Sequence, residues 1–224
     1  MRAEGQFAVV RRPLTPPPPR ARWAEPPDPT QHTLGIAALG PVALITRGLP
    51  EYEARPAGYQ AELCLTLLRC VGVISRGNGV LATRPHAAGP QVKTPDGQCL
   101  GRYELEYALL AGADRLDDAA LLRESQDYRY GFLLAAASGG FDPPLALEGE
   151  AVLSCLKGAE DGGGLILRCL NPSRSPATAR VVGRVTTSRT RLDESSEQRL
   201  VDGVVRLAPG EIATLRLRPA SPAG

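Results

Sequence analysis

Apolar and polar positions along this chain fall into short runs, and their spacing predicts strands far more often than helices. Gly5 to Arg11 reads as one short strand. Ile36–Leu39 and Val42–Ile45 are two apolar runs around Gly40-Pro41, a hairpin pattern. "AELCLTLLRCVGVIS" is a continuous apolar run of strand length, of the kind buried on both faces. In "GRYELEYALL", Tyr103, Leu105, Tyr107 and Leu109 alternate with Arg102, Glu104, Glu106 and Ala108. That period of two predicts a half-buried strand with its Tyr/Leu stripe inward and its acids in solvent.

One segment departs from this rhythm. "DRLDDAALLRESQDYRYGFLL" predicts a helix, with acids early and Leu116, Ala119, Ala120 and Arg123 at helical spacing. After Pro143, "LALEGEAVLSCLK", "GLILRCLN", "ATARVVGRV", "LVDGVVRL" and "EIATLRL" are short runs parted by "GAEDGGG", "NPSRSP" and "APG". Strands at that spacing, with those turns, predict an antiparallel sandwich. No internal repeat of fixed period interrupts the pattern.

Composition sharpens the picture. With 24 Gly and 21 Pro in 224 residues, turns are abundant, and a mainly β body of one large or two small domains is the expectation. Near the start, "PLTPPPPRARWAEPPDP" cannot be regular structure, because consecutive prolines fix φ and remove donors. It reads as a rigid strap over 13–29 that crosses a surface. The formal net charge is +2 and the positive charge is nearly all arginine, interleaved with acids. That balance argues for neither nucleic acid nor an anionic membrane as partner. No run of 18 apolar residues could span a membrane, and the N-terminus lacks the apolar core of a signal peptide. The chain as given is therefore expected to be cytoplasmic.

Candidate chemistry is sparse. The five cysteines read as small packing residues. Cys64 and Cys70 on one strand would stand about 20 Å apart at 3.3 Å per residue, beyond disulfide reach. Cys155 and Cys169 can face each other across a hairpin, but cytosolic thiols usually stay reduced. With no CxxC, and His32 and His86 as the only histidines, a metal held within this chain is not expected. Glu51/Glu53 and Glu104/Glu106 have the i, i+2 spacing of about 7 Å used by inverting glycosidases. Glu104 and Glu106 read as solvent-facing opposite the Tyr/Leu stripe, and Glu51 and Glu53 in "LPEYE", among prolines and glycines, make the better pair. "EDGGG" lacks the lysine of a phosphate loop and reads as a hairpin turn.

The richest stretch is "TRPHAAGPQVKTPDGQCLG", residues 83 to 101. It links two strand patterns and carries Arg84, His86, Gln91, Thr94, Asp96 and Gln98, planar or polar groups of the sort that read sugar hydroxyls. A long loop of this composition on a β scaffold is the best candidate for a ligand-reading element.

Five motifs in fixed order extend the reading: "RGLPEYE", "LTLLRCVGVISR", the 83–101 loop, "LKGAEDGGGLILRCLNPS" and "VRLAPGEIATLRL". Together, from Gly5 to Leu217, the chain resembles the C-terminal β region of glycoside hydrolase family 38, the α-mannosidases and mannosylglycerate-hydrolase relatives. The resemblance implies a galactose-mutarotase-like larger sandwich over 1–147, incomplete at its N-terminus, and a small C-terminal sandwich over 148–224. It implies an N-terminal catalytic barrel that binds zinc and hydrolyses α-mannosides by a retaining route. That barrel lies outside this chain, so no catalytic or zinc-binding residue carries over, and Met1 is expected to fall inside the β region.

The implied partner is the barrel, upstream in the same gene or on a separate chain, with the α-mannoside at a shared site. By position in the motif, Arg84, Gly89, Gln91 and Asp96 are the implied substrate-contacting residues, with Pro90 shaping the approach. A face built to meet the barrel would favour self-association when left bare. The competing reading is a stand-alone carbohydrate-binding module. Such modules stack sugars on aromatic platforms, and this chain has only one Trp, six Tyr and three Phe.

Overall fold

The computed structural model describes residues 1–18, 20, 27–75, 89–131 and 145–220. The described residues form eighteen strands and one α-helix, and the register-resolved strand pairs are antiparallel. The chain is thus mainly β, as its pattern predicts. It divides into two compact units, Met1–Gly5 with Val10–Arg115, and Gln6–Val9 with Leu116–Gly224.

Strands β1 (Arg2–Gly5), β2 (Ala8–Arg11), β4 (Ile36–Leu39), β5 (Val42–Arg47) and β10 (Glu106–Ala111) form a sheet in the order β10-β5-β4-β1-β2. The single strand expected over Gly5–Arg11 is instead the second half of a hairpin, because Phe7 adopts φ 57 and turns the chain. The hairpin at Gly40-Pro41 is present, and Gly40 supplies the left-handed φ of 57 that the turn requires. A second sheet, in the order β3-β6-β7, is made by β3 (Thr30–His32), β6 (Glu51–Ala57) and β7 (Gln60–Leu65).

Tyr52 on β6 is fully buried against Ala3 of β1 and Ala37 of β4, so the two sheets share a core. Its hydroxyl accepts a 2.7 Å bond from Arg12 Nη1, which also donates to the His32 carbonyl at 3.2 Å. This clamp fixes the chain where it enters the proline strap, whose described residues form no helix or strand.

The apolar run after Gln60 departs from expectation. β7 stops at Leu65, and Leu67, Leu68 and Val71 beyond it are exposed rather than buried on both faces. Cys70 is therefore not on the strand of Cys64. A two-stranded ribbon follows, β8 (Val73–Ile74) with β9 (Val92–Lys93), and then a 3-10 turn at Pro95–Gln98.

The second unit holds the helix α1 (Asp118–Tyr130), where the acids and spacing predict it. The Asp117 carboxylate caps it by accepting from Ala120 N at 2.7 Å. Ala119 and Leu122 pack on Val152 and Leu170, and Arg123 donates to the carbonyls of Gly149 and Ala151.

Beyond the helix lies a sandwich. One sheet has the order β11-β14-β17, from β11 (Leu145–Gly149), β14 (Ala177–Gly183) and β17 (Val204–Leu207). The other has the order β12-β13-β18-β15-β16, from β12 (Val152–Gly158), β13 (Leu165–Leu170), β18 (Ile212–Pro219), β15 (Val185–Thr190) and β16 (Gln198–Arg199). Ala179, Val181, Val205 and Leu207 of the first sheet meet Leu167, Cys169, Ala213, Leu215 and Leu217 of the second. Each set sits at alternate positions, so one face of β13, β14, β17 and β18 is inward.

"GAEDGGG" is the β12–β13 hairpin turn, where a side chain at Gly164 (φ +120) would lie 2.3 Å from the Leu217 carbonyl. Cys155 and Cys169 do not face each other, because a bulge between Leu153 and Cys155 pairs Leu153 with Cys169 and Cys155 with Arg168. Both thiols are free. Among the described residues no helix is long and apolar enough to cross a membrane.

Candidate functional site

Of the candidate loop, residues 89–101 are described, and β9 and the 3-10 turn fall within them. Thr94 N donates to Gly72 O at 2.9 Å, and Val71 N donates to Gly97 O at 3.0 Å, so the two arms are joined at their base. Gly97 is needed there, because a Cβ would stand 2.6 Å from the Val71 carbonyl. Cys99 ends the 3-10 turn at φ 50, and its carbonyl accepts from the Tyr103 hydroxyl at 2.7 Å. A short Gly/Pro-rich sequence with this much internal bonding makes a pinned base rather than a loose connection.

Of the four residues singled out by resemblance, three fall on described positions. Gly89 donates its N–H to Ser75 Oγ at 2.8 Å, closing the ribbon where the loop emerges. Gln91 is exposed on the strand side of Pro90, next to β9. Asp96 is exposed in the 3-10 turn that follows β9. Arg84 and His86 lie outside the described residues.

The paired carboxylates are engaged elsewhere. Glu51 Oε2 accepts from Arg69 at 2.9 Å, and Glu106 Oε2 from Arg47 at 2.9 Å across the β5–β10 pair. Each pair thus has one member already held by a guanidinium. Among the described residues no group of three or more His, Cys, Asp or Glu side chains is placed to hold a metal ion. The described donors therefore do not fit a zinc site.

Sequence reasoning placed the Tyr/Leu stripe of residues 103–109 on the wrong side. The strand begins only at Glu106, Tyr107 is 50% exposed and Leu109 71% exposed. Tyr103 and Leu105, just before the strand, are exposed as well. The alternation is real, but the stripe faces outward while Ala108 and Leu110 are the less exposed set. β10 is also an outer strand of its sheet among the described residues. With Leu67, Leu68, Val71, Ile74, Val92 and Leu100, these residues leave an unusual amount of large apolar surface in water along 67–109.

In the second unit, charge is concentrated at one buried guanidinium. Arg216 on β18 is 3% exposed and donates to both Asp161 oxygens at 2.7 and 2.8 Å. Its Nη2 donates to the Glu194 carbonyl at 3.3 Å, and Glu197 approaches at 3.4 Å. Lys157 Nζ sits 2.7 Å from Glu194 Oε1. The Arg216 hydrogen bond holds Asp161 below the usual carboxylate range. Lys157 does the same for Glu194, and Arg218 for Glu197. Every anion here has an internal cation, so the cluster ties the 159–164 and 191–197 loops to β18 rather than offering an open site.

The comparisons with known proteins agree with this architecture. Residues 150–215 match the family described as "Glycosyl hydrolases family 38 C-terminal beta sandwich domain". Across 96% of its length the chain is 28% identical to the "Putative mannosylglycerate hydrolase" of Halalkalibacterium halodurans. It spans only 23% of that curated relative's length. Residues 150–215, which include most of the sandwich of the second unit, are thus similar in sequence to the C-terminal β-sandwich domain of the family 38 glycosyl hydrolases.

Proposed function

We propose that this chain is the C-terminal β portion of an α-mannoside-cleaving hydrolase of the family 38 type. In that role it braces a zinc-dependent catalytic barrel and lends the 83–101 loop to the rim of the sugar site, and it does not cleave glycosides alone. The observation that carries the reading is the apolar surface left in water along residues 67–109. Side chains such as Tyr107 and Leu109 each stabilise a packed interface by roughly 1.5–3 kcal/mol when fully buried, and a self-sufficient domain would have turned them inward. The family match over 150–215 and the fourfold greater length of the matched relative support a place within a larger enzyme.

Substrate contacts are assigned to Arg84, Gly89, Gln91 and Asp96. An arginine can donate two parallel bonds to neighbouring hydroxyls, a glycine lets a sugar approach the backbone closely, and the exposed amide and carboxylate of Gln91 and Asp96 supply both donor and acceptor.

The test is hydrolysis of 4-nitrophenyl α-D-mannoside by the purified chain, with and without added zinc. No turnover is expected under either condition, and calorimetric titration with mannose oligosaccharides should show no binding by the chain alone. Zinc-dependent turnover by the isolated chain would overturn the proposal, and saturable oligosaccharide binding would favour a stand-alone binding module instead.

A further inference from the structure

We propose that the C-terminal sandwich carries a binding site for a small molecule bearing an oxyanion, a phosphate or a carboxylate, independent of the role proposed above. The site is a cleft of about 330 Å³ lined by Arg180, Thr186, Thr187, Arg199, Asp202 and Gly203, among others. That volume is at the low end for ligand pockets and suits a small metabolite.

The walls are preformed. β14 leaves the first sheet at Gly183, and the chain crosses to β15 of the second sheet two residues later. The link from β16 to β17 then turns back through Asp202 (φ 51) and Gly203 (φ 67). It is bonded to both sheets: Val181 N of β14 donates to Gly203 O at 3.0 Å, and Leu200 N donates to Thr187 O of β15 at 2.9 Å. Glycine is required at 203, because a Cβ there would stand 2.5 Å from the Val181 carbonyl. The link therefore cannot fold into the cleft and fill it without breaking bonds to both sheets.

The chemistry of the walls selects an anion. Arg180 spends Nε on the Asp202 carbonyl at 3.2 Å, which orients the guanidinium and leaves both terminal nitrogens for a ligand. The Arg199 guanidinium has no hydrogen-bond or ion-pair partner among the described residues, although its backbone pairs with Ser188 of β15, and neither arginine has a carboxylate partner there. Glu148 stands opposite Arg180 in the β11–β14 register but forms no ion pair with it. Elsewhere in this unit Arg189, Arg216 and Arg218 are each matched to acids. Two unmatched forks on separate strands, beside a single lining carboxylate, suit a planar or tetrahedral oxyanion taken by paired N–H donors.

The experiment titrates the chain at low ionic strength with inorganic phosphate, D-mannose 6-phosphate, D-glucuronate and neutral D-mannose, following backbone amide shifts by NMR. Saturable shifts at residues 180–187 and 199–203 with the anions, and none with mannose, are expected. The phosphate and glucuronate arms distinguish the two oxyanion sources. Arg180→Gln with Arg199→Gln should weaken binding at least tenfold, while Arg174→Gln, in the 171–176 loop outside the cleft, should leave it unchanged. On the unmodified chain, the best anion should protect Arg180 and Arg199 from phenylglyoxal as mapped by mass spectrometry. Non-saturable shifts, equal binding by the double variant, or no protection of these two arginines would overturn the proposal.

Discussion

Replacing Leu215 by alanine tests the sandwich directly. Leu215 lies on β18, the middle strand of its five-stranded sheet, with no exposed surface, and packs among side chains of both sheets. The change removes three carbons, about 2.4 kcal/mol at about 0.8 kcal/mol per methylene. Two hydrogen-bonded sheets cannot close on the gap, so a cavity term raises the loss to about 3–5 kcal/mol. In urea, with a slope near 2 kcal/mol/M, the midpoint should fall by about 1.5–2.5 M. Leu192→Ala is the control, since Leu192 is 67% exposed and outside the core, and should change stability by no more than about 0.5 kcal/mol. A Leu215→Ala loss below about 1 kcal/mol, or one equal to the control, would refute the two-sheet core.

Three further outcomes follow. Gly164→Ala forces a Cβ toward the Leu217 carbonyl at 2.3 Å in a left-handed backbone, so thermal melts should show a loss of at least about 2 kcal/mol; an unchanged melt would contradict the hairpin. Asp161, Glu194 and Glu197 all have folded pKa values below their ordinary ones, so their contribution is present at neutral pH and lost as pH falls below the ordinary carboxylate range and through the depressed values. Asp161→Asn should flatten that acid limb in pH-dependent unfolding. Burial pushes the Cys169 thiol up to about 11, so iodoacetamide at pH 8 should modify exposed Cys70 and Cys99 first and reach Cys169 only after denaturation, as read by peptide mass spectrometry.

Local pattern was legible where both partners of a contact lie in this chain. The run "ATARVVGRV" reads as a strand and forms β14, with Ala177, Ala179 and Val181 buried, because the opposing sheet is built from the same sequence. The early acids and helical spacing locate α1, and Gly40-Pro41 locates a hairpin, through local chemistry that needs no distant partner. The Tyr103–Leu109 stripe was not legible in the same way. A period of two says that a strand has two unlike faces but not which one is covered, and here the apolar one is bare. The continuous run after Gln60 misled for a related reason, since apolar residues at Leu67, Leu68 and Val71 signal burial only if something packs on them. Of the candidate site, the polar loop and its glycines could be read from composition. The internal ion pairs that engage Glu51 and Glu106 could not, because Arg69 and Arg47 lie 18 and 59 residues away in sequence. The arginine cleft was equally hidden, being assembled from β14, β15 and the link after β16.

The most direct test of the central claim is to purify the native protein from cells of its source with an antibody against residues 150–220 and assay α-mannoside hydrolysis with zinc and with a chelator. Zinc-dependent hydrolysis in the antibody-bound fraction is expected, reduced when a tagged chain carrying Tyr107→Asp and Leu109→Asp replaces the natural sequence. A bound fraction devoid of glycosidase activity, or full activity from the isolated 224-residue chain, would contradict the account.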